Sequence, residues 1–170
     1  MTGSDLTHIL QLPNEADTVG FADLCAQFLR PGDCLALIGD IGAGKTTFAR
    51  ALIRASLGPA GATEDIPSPS FTLVQSYDTA RGAIWHADLY RLSDPDEVFE
   101  LGLEAAFDSA ICLIEWPDRL GPDLPSEALT LEFIAAKDDS RTLRLSWSDP
   151  SWTDRLVPVI TGFNNEMPDA

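Results

Sequence analysis

The stretch Gly39-Asp40-Ile41-Gly42-Ala43-Gly44-Lys45-Thr46 decides how the rest of the chain is interpreted. It fits the pattern Gly-x-x-x-x-Gly-Lys-Thr without a mismatch. Such a loop curls its backbone N–H groups around phosphate oxygens, which requires glycine wherever a side chain would clash. The lysine supplies a positive charge for the β- and γ-phosphates, and the threonine hydroxyl is a Mg²⁺ ligand. We therefore predict nucleotide contacts from this loop and the residue after it: Asp40, Ile41, Gly42, Ala43, Gly44, Lys45, Thr46 and Thr47.

The residues on either side of this loop have the pattern that a phosphate-binding loop needs. Five apolar residues, Cys34–Ile38, lead into it, which is typical of a parallel strand covered on both faces. Four apolar residues with helical spacing follow it: Phe48, Ala49, Leu52 and Ile53. This context favours phosphate binding over the alternative, an ordinary glycine-rich turn followed by a surface lysine.

The apolar patterns in the rest of the chain predict one α/β domain. We expect strands near 6–12, 71–77, 83–89 and 111–114, a helix after Asn14, and a short helix from Ser93 to Gly102. Alternating segments at 129–133 and 143–147 flank a polar turn and predict an antiparallel hairpin. The expected fold is a P-loop NTPase-like three-layer sandwich with a mostly parallel central sheet and this C-terminal hairpin. Residues 1–160 are expected to form the domain and 161–170 a disordered tail.

The composition argues against several kinds of partner. The 170 residues include 11 Lys+Arg and 27 Asp+Glu, which gives a formal charge of −16. Because affinity for nucleic acid depends mainly on Lys and Arg, we expect no direct binding to DNA, RNA or an anionic membrane. There is no apolar run of about 20 residues and no signal-peptide pattern. The cysteines (Cys25, Cys34 and Cys112) are widely spaced, so we expect reduced thiols in a cytoplasmic protein.

A nucleotide site of this kind also needs an acidic group on a neighbouring strand. Glu115 follows the apolar run 111–114 and fits that position; the alternative is an ordinary acid at a strand end. Asp88 is the other candidate, and His86 shares its face of the strand because the two are separated by one residue. For His86, a structural role is as well supported as a functional one. We predict Thr46, Glu115 and Asp88 as magnesium ligands.

The segment Ser68-Pro69-Ser70-Phe71-Thr72 occupies the place of a loop that senses the γ-phosphate. The hydroxyls of Ser68, Ser70 and Thr72 are suited to contact phosphate or magnesium when ATP orders the loop. The alternative is a proline-rich turn into a strand. Phe71 and Trp116 are candidates either for a base pocket or for the core. No Asn-Lys-x-Asp motif is present, which favours adenine over guanine as the base.

Four motifs occur in an order that resembles the TsaE family, the small bacterial ATPases of tRNA threonylcarbamoyladenosine biosynthesis. The motifs are Gly39–Thr47, Ser68–Val74, His86–Leu92 and Leu113–Trp116. The resemblance covers about residues 10–147, and the second and third motifs are more specific than the glycine-rich loop. One departure is Ser70, where the family usually has threonine; the hydroxyl is retained.

The resemblance implies a slow ATPase that binds ATP with Mg²⁺ and acts with the TsaB and TsaD proteins. TsaD transfers threonylcarbamoyl to the adenosine beside the anticodon, so tRNA is reached only through the complex. Carried over by motif, Lys45 holds phosphate, Thr46 and Glu115 serve magnesium, and Asp88 supports hydrolysis. Glu15 matches a position near the nucleotide, and Arg141 is a candidate for the base side. Two alternatives stay open: a nucleotide-gated assembly switch with negligible turnover, and a small-molecule phosphotransferase.

Overall fold

The computed structural model describes residues 5–62 and 65–166, which form seven strands and five α-helices. The strands are β1 (Leu6–Leu12), β2 (Cys34–Ile38), β3 (Val74–Thr79), β4 (Gly82–Asp88), β5 (Ile111–Glu115), β6 (Leu129–Ala135) and β7 (Arg141–Trp147). The α-helices are α1 (Glu15–Ala26), α2 (Lys45–Leu57), α3 (Pro95–Glu100), α4 (Leu103–Ser109) and α5 (Pro150–Glu166). Short 3₁₀ segments lie at Gly58–Ala62 and Pro117–Asp123. Within the described ranges, no helix is long and apolar enough to cross a membrane.

The seven strands form one mixed sheet in the order β1-β7-β6-β2-β5-β4-β3. The pairs β6–β2, β2–β5 and β5–β4 are parallel, whereas β1–β7, β7–β6 and β4–β3 are antiparallel. The expected C-terminal hairpin is therefore present as β6–β7. The prediction of a mostly parallel sheet is wrong, because antiparallel pairs occupy both edges. At the β3 edge the reason is local: Thr79 and Gly82 are joined by two residues, and so tight a connection permits only antiparallel pairing.

Helices cover both faces of the sheet and give three layers. On β2, Leu35 and Leu37 belong to one apolar cluster with residues of α1, α2 and α5. Cys34, on the opposite face, belongs to a second cluster with residues of α3 and α4, among them Val98 and Leu103. The alternation along β2 thus assigns its side chains to two cores, as the continuous apolar run 34–38 predicts for a central strand.

The described structure differs from the predicted elements in several places. The third strand begins at Val74 rather than 71, because Leu73 adopts a φ of 69° and breaks the extended backbone. The short helix α4 was not predicted. The expected disordered tail is wrong for 161–166, which continue α5; there Phe163 is buried and its ring lies 5.5 Å from that of Phe21. Residues 167–170 lie outside the described residues.

The parallel strands bring the predicted acidic residues to one edge of the sheet. In the registers of β4–β5 and β2–β5, Asp88 lies opposite Glu115, and Leu37 lies opposite Glu115 on the other side. Asp88 and Glu115 have the same parity on their strands as Ile84 and Leu113, which belong to the cluster beneath α2. The carboxylates therefore lie on the face that α2 covers, beside the loop that connects β2 to that helix.

Candidate functional site

The glycine-rich loop (Gly39–Gly44) connects β2 to α2 through backbone conformations that favour glycine. Gly39, Gly42 and Gly44 have φ angles of 150°, 82° and 114°. A Cβ at Gly39 would lie 2.6 Å from the carbonyl oxygen of Phe133, so β6 closes against the loop. Gly44 occupies the N-cap position of α2 and provides no side-chain acceptor. The first N–H groups of the helix therefore receive no side-chain cap from Gly44, and a helix N-terminus of this kind is suited to bind an anion.

Lys45 holds a positive charge at the start of α2 with little exposure to solvent. Its Nζ donates to the carbonyl of Gly39, lies 3.4 Å from that of Asp40, and lies 4.0 Å from the centroid of the Trp116 ring. Burial lowers the pKa of the ammonium, whereas the carboxylates of Glu115, Asp88 and Asp40 act to raise it. A cation that is poorly solvated in this way gains more from an anionic ligand than an exposed lysine does.

Thr46 and Glu115 lie side by side although they come from different elements. The Thr46 hydroxyl donates to Glu115 Oε1 at 2.8 Å, and Glu115 is only 2% exposed. A hydroxyl and a carboxylate are oxygen ligands of the type that Mg²⁺ prefers. The described residues contain no cluster of three or more His, Cys, Asp or Glu side chains arranged to hold a metal. The Thr46 hydroxyl and the Glu115 carboxylate nevertheless fit Mg²⁺, which is commonly held by one or two carboxylates together with substrate phosphates.

Asp88 is held in place by the segment 68–72 and by the backbone that follows β4. Ser70 Oγ donates to Asp88 Oδ2 at 3.3 Å, and the N–H of Tyr90 donates to Oδ1 at 3.1 Å. The hydroxyls of Ser68 and Ser70 are 2.9 Å apart. The position of the segment 68–70 is thus linked directly to an acid that the sequence predicts to act in the site.

His86 contacts the second oxygen of Glu115. Its Nε2 lies 2.7 Å from Glu115 Oε2, and the imidazole is fully buried. Since Oε1 of the same carboxylate accepts from Thr46, Glu115 bridges β4 and α2. The sequence predicts that His86 shares a face of its strand with Asp88, but it supports a structural role and a functional role for His86 equally.

Most of these groups, but not the buried His86, line a single cleft of about 310 Å³. The predicted residues that line it are Ile41, Gly42, Gly44, Lys45, Thr46, Thr47, Ser68, Ser70, Asp88 and Glu115. Tyr90 and Arg91 also line it and were not predicted, although both belong to the motif His86–Leu92. Trp116 lies in the cleft with its ring 5.0 Å from that of Tyr90. Phe71 is 82% exposed beneath the guanidinium of Arg91, so the core alternative does not hold for it.

The remaining predicted residues lie outside the lining of this cleft. Glu15 borders a neighbouring cleft, which it shares with Thr47. Asp40 and Ala43 border an apolar cleft on the other side of the loop, and Thr72 accepts from Gln75 Nε2 at 3.0 Å. Arg141 lies against the glycine-rich loop, where its Nη2 donates to the carbonyl of Gly42 at 3.3 Å.

The chain is similar in sequence and fold to known proteins. A family model described as Threonylcarbamoyl adenosine biosynthesis protein TsaE matches residues 12–143. The tRNA threonylcarbamoyladenosine biosynthesis protein TsaE of Rickettsia felis is 46% identical over 110 residues, 65% of this chain. That match spans 63% of the relative, less than two thirds of its length. The Rickettsia bellii protein of the same name is 38% identical over 135 residues, 79% of this chain and 92% of that protein. The crystal structure of Bacillus subtilis YdiB superimposes with a TM-score of 0.74 at 27% identity, covering 95% of this chain and 99% of that one.

Proposed function

The chain belongs to the TsaE family of threonylcarbamoyl adenosine biosynthesis proteins, and from this premise we propose that it is a Mg²⁺-dependent ATPase. The observation that carries the proposal is the 2.8 Å contact between Thr46 Oγ1 and Glu115 Oε1, beside Lys45 and the glycine-rich loop. Thr46 and Lys45 come from the loop motif, whereas Glu115 ends a strand 69 residues further on. Their meeting in one cleft is the arrangement that P-loop ATPases use for ATP with Mg²⁺.

Different groups of the cleft bind the phosphates, hold the metal ion and assist hydrolysis. The loop N–H groups and the first turn of α2 bind phosphate oxygens, and Lys45 neutralises charge at the β- and γ-phosphates. Thr46 and Glu115, with Asp88 beside them, are the residues that would hold Mg²⁺. When bound, the ion neutralises charge on the phosphates and orients them for attack.

Asp88 is the group that we assign to the attacking water. It is 9% exposed, and both of its oxygens are engaged, by the Ser70 hydroxyl and the Tyr90 N–H. A carboxylate oriented in this way can accept a hydrogen bond from water and hold it in line with the terminal phosphate. Ser68 and Ser70 connect this group to a loop whose position can respond to the γ-phosphate.

We propose that ATP hydrolysis serves tRNA modification through a complex with TsaB and TsaD. The charge of −16 opposes direct binding to tRNA, so the chain would reach tRNA only through its partners. This work would take place in the cytoplasm. Because the family resemblance implies that TsaD performs the threonylcarbamoyl transfer, the chain's own contribution would be to drive or reset the reaction cycle of the complex.

A second candidate function is a nucleotide-gated assembly switch with negligible turnover. The contact from Ser70 to Asp88 favours it, because the same loop that would respond to nucleotide also fixes the group proposed for hydrolysis. A small-molecule phosphotransferase is less well supported, since residues 61–130 offer only Arg81, Arg91 and Arg119 for a basic lid. Arg119 already donates to the carbonyl of Tyr90 at 3.2 Å.

The test is ATP hydrolysis, measured with and without purified TsaB and TsaD, together with tRNA modification by the full set of proteins. We expect slow phosphate release from the chain alone and faster release with the pair. Glu115→Gln should lower that release at least tenfold, since it replaces a proposed magnesium ligand. Glu104→Gln, an exposed change on α4, serves as the matched control. Full modification with Glu115→Gln despite lost hydrolysis would select the switch, and no ATP binding at all would reject both functions.

A further inference from the structure

His86 is a buried polar side chain that the proposed ATPase mechanism does not use. It lies on β4 two residues before Asp88, on the face that α2 covers, and it is 0% exposed. A polar ring buried between a sheet and a helix requires a partner, because buried polar groups are almost always hydrogen-bonded. Histidine at this position must therefore be satisfied by an interaction with a neighbouring polar group.

The hydrogen bond to Glu115 accounts for it. A carboxylate only accepts, so Nε2 of His86 donates to Glu115 Oε2 across 2.7 Å. The other ring nitrogen, Nδ1, is buried and has no hydrogen-bond partner among the described residues. Within that part of the chain, Glu115 is thus the polar contact that this imidazole makes. An apolar ring or a leucine would fill the space without burying a nitrogen that lacks a partner.

The contact divides the two oxygens of Glu115 between two neighbours. Oε2 is held by His86, and Oε1 accepts from Thr46. With one oxygen fixed from β4, the carboxylate cannot rotate freely, so the direction of the other oxygen toward Thr46 is also fixed. Lys45 and Asp88 line the same cleft beside it.

We propose that His86 is the positioning residue for Glu115, which holds the carboxylate so that Oε1 and the Thr46 hydroxyl face Mg²⁺ in a set orientation. The inference rests on the proposed function, because it concerns the same cation. It extends that function to a residue that touches neither nucleotide nor metal and acts only through Glu115. Partners of metal ligands typically affect metal affinity 10- to 100-fold when they are removed.

The experiment measures ADP binding by titration calorimetry, first without Mg²⁺ and then at increasing Mg²⁺ concentrations. His86→Leu should raise the Mg²⁺ concentration needed for half of the Mg²⁺-dependent gain in affinity at least tenfold. ADP affinity without Mg²⁺ should stay within twofold, because the loop and Lys45 are unchanged. His86→Gln places a nitrogen donor at the ε position and should restore most of the wild-type Mg²⁺ requirement. His8→Leu, the same substitution at the other histidine of the chain, on edge strand β1, is the matched control.

Two further variants separate positioning from packing. His86→Asn keeps a polar amide but is too short to reach as far as Nε2, so it should behave like His86→Leu. This comparison with His86→Gln holds even if the leucine variant fails to fold. In a Glu115→Gln background, His86→Leu should cause no further change in the Mg²⁺ requirement, because its effect passes through Glu115.

The outcomes distinguish the inference from the function on which it rests. An unchanged Mg²⁺ requirement in folded His86→Leu overturns the inference, and so does a glutamine variant that is no better than asparagine. If wild-type protein binds ADP without any effect of Mg²⁺, the proposed magnesium-dependent function itself fails, whatever the His86 variants do. Circular dichroism and thermal unfolding of every variant establish that the comparison is between folded proteins.

Discussion

Replacing Lys45 with methionine should weaken nucleotide binding strongly while leaving the unliganded protein as stable as before or more so. The two effects have one cause, the placement of a positive charge in a nearly buried position at the start of α2. Lys45 is 5% exposed, and burial lowers the pKa of its ammonium despite the opposing carboxylates. Methionine has a similar length and apolar stem, so it preserves packing beside Trp116 while removing the charge.

The expected loss of affinity follows from the single charge-assisted contact that the substitution removes. Hydrogen bonds to charged groups contribute about 1.5–3 kcal/mol, so the dissociation constant for ATP should increase about 10- to 150-fold. Titration calorimetry with a non-hydrolysable ATP analogue and Mg²⁺ measures it directly. Lys137→Met is the matched control, because Lys137 is the only other lysine and lies exposed in the β6–β7 turn.

The expected effect on stability depends on pH in a defined direction. A lysine whose pKa is lower in the folded than in the unfolded state binds fewer protons when folded, so its contribution to stability rises with pH. Below the lowered pKa, the wild-type chain bears the full cost of the buried charge. The advantage of Lys45→Met should therefore be largest near neutral pH and should disappear as the pH rises through the lowered pKa toward the ordinary value of 10.5.

Thermal unfolding without nucleotide, at several pH values, tests this part of the reasoning. ATP affinity within twofold of wild type would refute the assignment of the glycine-rich loop to phosphate. A melting temperature well below wild type near neutral pH would show that the contacts of Lys45 to Gly39 and Asp40 outweigh its desolvation. An advantage of the variant that grows with pH would contradict the direction of the pKa shift.

The remaining predictions concern the framework around the site. Arg155→Met should lower the free energy of unfolding by about 3 kcal/mol and the melting temperature by about 6–12 °C, because Asp33 loses a paired guanidinium at 2.6 and 3.0 Å. Adding Asp33→Asn should recover part of that loss, and a double variant as unstable as the single one would contradict the ion-pair account. Gly39→Ala should prevent folding or nucleotide binding, since its Cβ would lie 2.6 Å from the Phe133 backbone. Gly20→Ala, in open space on α1, should stabilise the chain by up to about 1 kcal/mol; equal effects of the two alanines in denaturant unfolding would refute the steric argument.

The parts of the fold that the sequence predicts well are those encoded by neighbouring residues. The run Cys34–Ile38 and the helical spacing after Thr46 identified β2 and α2, and alternation on both sides of a polar turn identified the β6–β7 hairpin. The segment after 147 was missed. Its helix α5 contains Pro158, which argues against a helix locally, and it forms because Trp152 and Phe163 become buried against the rest of the core.

In the candidate site, too, the residues that were predicted are those that a local pattern identifies. Lys45 and Thr46 followed from a local motif, and Asp88 and Glu115 from acids at the ends of predicted strands. Tyr90 and Arg91 were not predicted as parts of the cleft, because nothing in their local pattern distinguishes a loop that turns into the cleft from one that turns away. Glu15 and Thr72 carry suitable groups but lie outside the lining of the cleft: Glu15 borders the neighbouring cleft, and the Thr72 hydroxyl accepts from Gln75.

By itself, the sequence determined the glycine-rich loop, the strand and helix that flank it, and the residues whose chemistry suits phosphate and magnesium. These features depend on backbone conformation and side-chain type within a few residues. Only the tertiary structure decided that β1 pairs with β7 at the far edge of a mixed sheet. It likewise placed Glu115 between Thr46, 69 residues away, and His86, 29 residues away. The reason is physical: strand partners and buried polar contacts follow from how all the apolar faces are covered at once, and no local stretch of residues carries that information.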